Sequence, residues 1–143
     1  MKTLIKMILN TGNYTNNISF TLLFLRVVVG VFMLTHGYGK FLMLAGGDAI
    51  QFADPIGVGV TASLLLAVFA EFFCSIFLIF GLATRFSSIP LLVTMLVAAF
   101  IVHASDAFMR KELPLLYAAI YLVILIAGAG KFSVDYWLLK KIK

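Results

Sequence analysis

Ile18–Gly37 reads ISFTLLFLRVVVGVFMLTHG, twenty residues with a single charge, Arg26. A helix of that length rises about 30 Å, the thickness of the hydrocarbon core of a bilayer. Working outward, further apolar runs span about 57–81, 86–104 and 113–130. Glu71 interrupts the second run. Pro90 falls in the first turns of the third and Pro114 at the start of the fourth, where a missing N–H costs least. In hydrocarbon only helices and closed barrels satisfy their own backbone, and these runs do not alternate in polarity as barrel strands would. The sequence therefore predicts an all-α integral membrane four-helix bundle in one transmembrane domain, 1–143. Composition agrees: 63% of the 143 residues are hydrophobic and 12% charged, and mean hydropathy is +1.11. Soluble domains run nearer half apolar and a quarter charged.

The formal net charge of +5 raises the question of a nucleic-acid partner. Its placement argues against one, because the Lys and Arg residues sit at the ends of the apolar runs. There they orient the chain and meet anionic lipid head groups. Lys2, Lys6, Arg85, Lys131, Lys140, Lys141 and Lys143 fall on one side; Lys40, Arg110 and Lys111 fall on the other. That excess predicts that the N- and C-termini are both cytoplasmic. Residues 1–17 pair Lys2 and Lys6 with Leu4, Ile5, Ile8 and Leu9, the pattern of an interfacial amphipathic segment. No small-residue cleavage site precedes the first apolar run, which reads as a retained span. The loop before the second run closes on Asp54-Pro55, a helix cap followed by a first-turn proline. Tyr136 and Trp137 in the tail suit an interfacial anchor. The single cysteine, Cys74, excludes a disulfide within the chain and reads as a small packing residue.

Arg26 and Glu71 are the costly residues, each about 2.5–3.5 kcal/mol or more at a helix centre if charged and alone. Counted from the ends of their runs, they lie about 12 and 15 Å deep. The expectation is a buried Arg26–Glu71 ion pair between adjacent antiparallel helices. It either fixes helix register or serves a ligand or proton relay. Gly30, on the same face as Arg26, would let a neighbouring backbone approach.

A second polar layer lies toward the other surface. His36 and His103 both come out about 26 Å up. Lys40 is one turn beyond His36, and Asp106 three residues beyond His103, so each pair shares a helix face. Asp48, Asp54 and Glu112 belong to the same side. The layer admits four readings. Interfacial histidines would simply meet water and head groups. A quinone head group would use a His for proton exchange and a carboxylate to orient it. Two axial histidines could hold a haem, though nothing else indicates a porphyrin. Two His and one Asp make a thin set for a divalent metal, and no metal is expected.

The stretches Leu25-Arg26 with Gly30, His36-Gly37-Tyr38-Gly39-Lys40-Phe41, Glu71, Gly81-Leu82-Ala83-Thr84-Arg85, His103 and Gly128–Asp135 stand in an order and spacing that resembles the DoxX family of small four-span bacterial membrane proteins. The resemblance implies a four-helix bundle in the bacterial cytoplasmic (inner) membrane and an association with quinone-linked redox. Some relatives are subunits of a thiosulfate:quinone oxidoreductase. The positions carried over are Arg26, His36, Lys40, Glu71 and His103. On this reading the chain is a quinone-interacting subunit of a membrane oxidoreductase, with a partner subunit or further copies of itself. His36, Lys40, His103 and Asp106 are then the ligand-binding candidates, and no catalytic residue is assigned. The alternatives are a non-enzymatic assembly or scaffold subunit and a small transporter.

Overall fold

The computed structural model describes residues 9–47 and 49–142. Helix α1 runs Asn16–Ala45, α2 Val60–Phe80, α3 Thr84–Val102, α4 Phe108–Ala127 and α5 Val134–Ile142. Among the described residues there is no strand. Antiparallel α1 and α2 pack along each other, α3 lies against α2 and α4, and α4 closes back on α1. Helices α1, α2 and α3 are long and apolar enough to cross a membrane. Their outward faces carry exposed Phe20, Phe24, Phe32, Phe80, Phe86 and Phe100, a surface that lipid covers and water would not. Helix α4 has 20 residues, but Arg110, Lys111 and Glu112 stand in its first turns, leaving Leu113–Ala127 as its apolar part.

Helix α1 continues two turns past the run 18–37, so His36 and Lys40 are both helical. Thr15 caps its start by accepting from the Ile18 N–H. Helix α2 starts at Val60 rather than 57, and Pro55 precedes it. Asp54 accepts from Val58 N, Gly59 N and Ser63 Oγ at 3.0, 2.8 and 2.7 Å, fixing the incoming loop. The Ser63 hydroxyl first, then the backbone donors, hold the Asp54 carboxyl below its ordinary value.

Apolar side chains gain little by leaving lipid for one another, so polar locks and close approach matter more here than in a soluble core. One lock closes the end that holds the α2–α3 turn. Gly81 ends α2 at φ 69°, and the bonds Gly81 N→Leu78 O and Leu82 N→Phe77 O complete a Schellman cap. The buried Arg26 guanidinium donates to Leu78 O at 3.1 Å and Phe132 O at 2.7 Å. A Cβ on Gly81 would overlap Arg26 Nη1. Asp135, the second residue of α5, accepts from Ala83 N at 2.7 Å and Thr84 N at 2.9 Å. It therefore caps α3 from another part of the chain, supplying the acceptor that a helix start lacks. Burial pushes the Asp135 carboxyl above its ordinary value, against those two bonds and the nearby Arg26 charge.

The expected Arg26–Glu71 pair does not form. Arg26 binds carbonyls at the level of Leu78, and Glu71 pairs with Lys40 instead. Counting depths from 18 and 81 treated those two ends as level. The structure sets Gly81 beside the Arg26 guanidinium and Gly37 against Glu71. Gly37 is eleven residues past Arg26, about 16 Å along α1. Side chains on a helix also lean toward its N-terminus, which carries the guanidinium further from Glu71. Gly30 does lie at the α1–α2 contact, against Ile79 and Ser75.

The segment expected at the interface over 1–17 falls, for its first eight positions, outside the described residues, as does Asp48. From residue 9 onward it folds across the end of α4. Arg85 donates to Asn10 O and Ile126 O at 3.0 and 2.9 Å, Tyr14 Oη to Ala127 O at 3.1 Å, and Gly130 N to Thr11 O at 3.1 Å. On α5, Lys141 Nζ sits 3.7 Å above the exposed Trp137 ring and Lys140 4.8 Å above Tyr136, each within cation–π range.

Candidate functional site

At the opposite end, the α-helical ladder is interrupted twice. Helix α2 takes a π turn over Phe69–Cys74, and α3 takes one over Ala98–Val102. Such turns admit one extra residue and occur disproportionately at functional sites. The first carries Glu71; the second delivers His103, whose N–H bonds Ala98 O at 3.0 Å. Helix α1 meets the first turn at Gly37, where an added Cβ would lie 2.5 Å from the Glu71 carbonyl. Only a glycine permits that approach, and it brings the next turn of α1 over the carboxylate. Lys40 Nζ donates to both Glu71 oxygens. The Glu71 side chain is 4% exposed and that of Lys40 27%, so the ammonium is the counter-ion of a carboxylate held out of water. Phe41 and Phe72, which follow Lys40 and Glu71 in the chain, stack with ring centroids 4.5 Å apart.

His103 Nδ1 lies 2.7 Å from Asp106 Oδ2. A carboxylate only accepts, so Nδ1 carries the hydrogen; Nε2 is left free to accept, or to donate in the imidazolium. The His103 bond first, then Arg110 at 3.4 Å, hold the Asp106 carboxyl below its ordinary value. Lys111 Nζ donates to Ala104 O at 2.7 Å and ties this corner to α4.

Two cavities meet at these groups. The smaller, about 230 Å³, is lined by His36, Lys40, Glu71, His103 and Tyr117, with Met33, Met95, Ala98, Leu113 and Pro114 around them. The larger, about 400 Å³, lies between α2, α3 and the loop 52–56. Lys40, Glu71, Ala98 and His103 line both. Three cationic or ionisable donors (His36, Lys40 and His103), a carboxylate and a phenol thus face a small volume between apolar helices. That set can bind a polar ring or head group and exchange a proton with it.

The structure brings His36, Lys40 and His103 to one cavity. Asp106 lines neither cavity and acts through His103. Arg26 belongs to the lock at the other end, and the buried Cys74 packs in the core with Leu78, Met95 and Tyr121. Sequence reasoning placed Glu71 at the wrong level and passed over Tyr117. The tyrosine's one signal was its place three residues past Pro114 on an apolar helix. Tyr117 stacks on Tyr121 at 6.0 Å, and the Tyr121 hydroxyl is buried without a partner. Among the described residues, no three His, Cys, Asp or Glu side chains stand together as metal ligands.

The DoxX family profile matches residues 21–104, which takes in Arg26, His36, Gly37, Lys40, Glu71 and His103. The chain belongs to the DoxX family. A Haemophilus influenzae protein described as uncharacterized is 35% identical over 134 residues, covering 85% of this chain and 93% of its own. A second uncharacterized protein of the same organism is 36% identical over 81 residues, 54% of this chain and 53% of its own. No solved structure matches. In this DoxX chain, Tyr117 and Asp135 come from beyond the matched stretch: α4 adds a wall to the site and α5 the cap on α3.

Proposed function

We propose that this DoxX protein is a quinone-interacting subunit of an oxidoreductase system in the bacterial cytoplasmic membrane. In this reading α4 is a fourth span, and both termini are cytoplasmic, following the excess of Lys and Arg at the end that holds Arg85 and α5. The cavity with Lys40, Glu71 and His103 then lies toward the outer face.

The observation that carries the reading is a polar cluster where a small and a larger apolar cavity join. A quinone ring presents two carbonyl oxygens that need donors once they leave water. Lys40 Nζ, the Tyr117 hydroxyl, and the His36 and His103 rings in their protonated forms are donors on the wall of the small cavity. Reduction of the ring takes up two electrons and two protons. His103, oriented by Asp106, and Glu71 are placed to exchange the protons. One cysteine offers no dithiol, so the electrons are assigned to a partner subunit.

The test is quinone binding by the purified protein in lipid nanodiscs, with solvent extraction to identify any co-purified quinone. His103→Ala and His36→Ala are each expected to weaken binding by about tenfold or more, the loss of one charge-assisted hydrogen bond. Binding unchanged in both variants refutes the proposal. A scaffold role is the second reading, favoured by the mutual satisfaction of Lys40 and Glu71 within the packing. It requires that a folded Lys40→Met/Glu71→Leu variant keep full cellular function.

A further inference from the structure

We infer that the larger cavity between α2 and α3 seats the hydrocarbon arm of the ligand, so that the site takes an amphiphile: a compact polar ring on a flexible apolar chain. The inference rests on the proposed function and names the part of the ligand that the polar cluster does not explain.

Three observations support it. Lys40, Glu71, Ala98 and His103 line both cavities, so a ring held at the cluster has the larger cavity next to it. That cavity is walled by residues such as Ile56, Leu66, Ala67, Val93 and Val97, which offer nothing to a second polar group. Its two hydroxyls are Ser63, already bound to Asp54 at 2.7 Å, and Thr94. The volume, about 400 Å³, lies within the range of small-molecule sites.

The cavity is also built into the backbone. Helices α2 and α3 are held together at their shared turn by Gly81 and the Asp135 cap. Toward the other end each passes through a π turn. Pro90, expected in the first turns where a missing N–H costs least, is the seventh residue of α3, where it removes a rung from the ladder, and it lines the cavity. Asp54 fixes the loop that forms the remaining wall. Apolar walls without partner atoms forgo their dispersion contacts, and a hydrocarbon chain restores them. A ligand tail and a phospholipid acyl chain share that chemistry. The tail is favoured because the cavity is continuous with the polar cluster.

The experiment compares a benzoquinone bearing a ten-carbon chain with the same ring lacking the chain. Binding is measured to the full-length protein in nanodiscs and to Ala67→Phe and Val97→Phe, which fill the cavity. Ala67→Val is the milder substitution for use if the larger ones fail to fold. The unsubstituted protein is expected to prefer the chained probe by about tenfold or more after correction for partition into lipid. The filled variants are expected to lose that preference while holding the chainless ring within about twofold. Equal losses for both probes, or no loss for either, overturn the inference while leaving the ring site standing. Retention of a phospholipid that the chained probe does not displace overturns it as well. If neither probe binds the unsubstituted protein, the proposed function fails and the inference falls with it.

Discussion

Lys40→Met should destabilise the protein more than Glu71→Gln, and the pair Lys40→Met/Glu71→Leu should be close to the parent. The argument rests on unequal burial: the Glu71 side chain is 4% exposed and the Lys40 side chain 27%. Opposite charges 4 Å apart gain about 4 kcal/mol at an effective dielectric of 20. Removing one member of a buried pair costs about 3–5 kcal/mol, because the survivor stays desolvated. Lys40→Met leaves the buried carboxylate with no counter-ion and should cost about 3 kcal/mol. Glu71→Gln leaves an ammonium that can swing into water, and about 1–2 kcal/mol is expected. With both charges gone neither penalty applies, and the double variant should lie within about 1 kcal/mol of the parent. Unfolding in mixed micelles, followed by far-ultraviolet circular dichroism, measures all four proteins. A double variant as unstable as Lys40→Met, or Glu71→Gln costlier than Lys40→Met, would refute the reasoning.

Three further outcomes are expected. Gly81→Ala should cost upwards of about 2 kcal/mol, since a left-handed backbone alone costs a residue with a Cβ about 1–2 and the new methyl meets Arg26. Gly39→Ala, where a Cβ meets nothing within 4 Å, should be neutral or stabilising by up to about 1 kcal/mol; equal melting temperatures for the two variants would discount the Arg26 contact. Asp135→Ala should cost about 2–3 kcal/mol and Asp135→Asn less, because two N–H groups at the start of α3 lose their acceptor. Faster hydrogen exchange at Ala83 and Thr84 is the readout, and unchanged protection there would remove Asp135 from this role. Carboxyl NMR should place Asp54 and Asp106 below the ordinary Asp value of about 3.9 and Asp135 above it. The order that Asp54 and Asp106 contribute is therefore complete above the ordinary value and lost as pH falls through their lower folded values. The contribution of Asp135 is complete below the ordinary value and lost as pH rises through its higher one. Asp106 titrating at or above the ordinary value would contradict the His103 hydrogen bond.

Run length and polarity were enough to read an all-helical membrane chain, because lipid permits so few backbone solutions. Placing His36 and His103 in one layer, with Lys40 a turn beyond His36, followed from counting rise along straight helices. The same count failed for Arg26 and Glu71. It assumed level ends, whereas the relative slide of α1 on α2 is set by Gly37 against Glu71 and Gly81 against Arg26. The two π turns left no mark in the sequence, since one extra residue in an apolar run of about twenty barely alters its hydropathy or length. Asp135 looked like one tail residue among several. Its role depends on a turn 51 and 52 positions earlier, and no periodicity connects the two.

That separation has a consequence for biogenesis. A helical hairpin leaves the ribosome with the amides at its bend still bare, and their acceptor follows some fifty residues later. At about 5–20 residues per second the delay is about 3–10 s. Throughout it the nascent α2–α3 pair lacks the acceptor that caps α3. Chains stalled or clipped before residue 135 should be preferred prey for membrane proteases, whatever the condition of the His103 end.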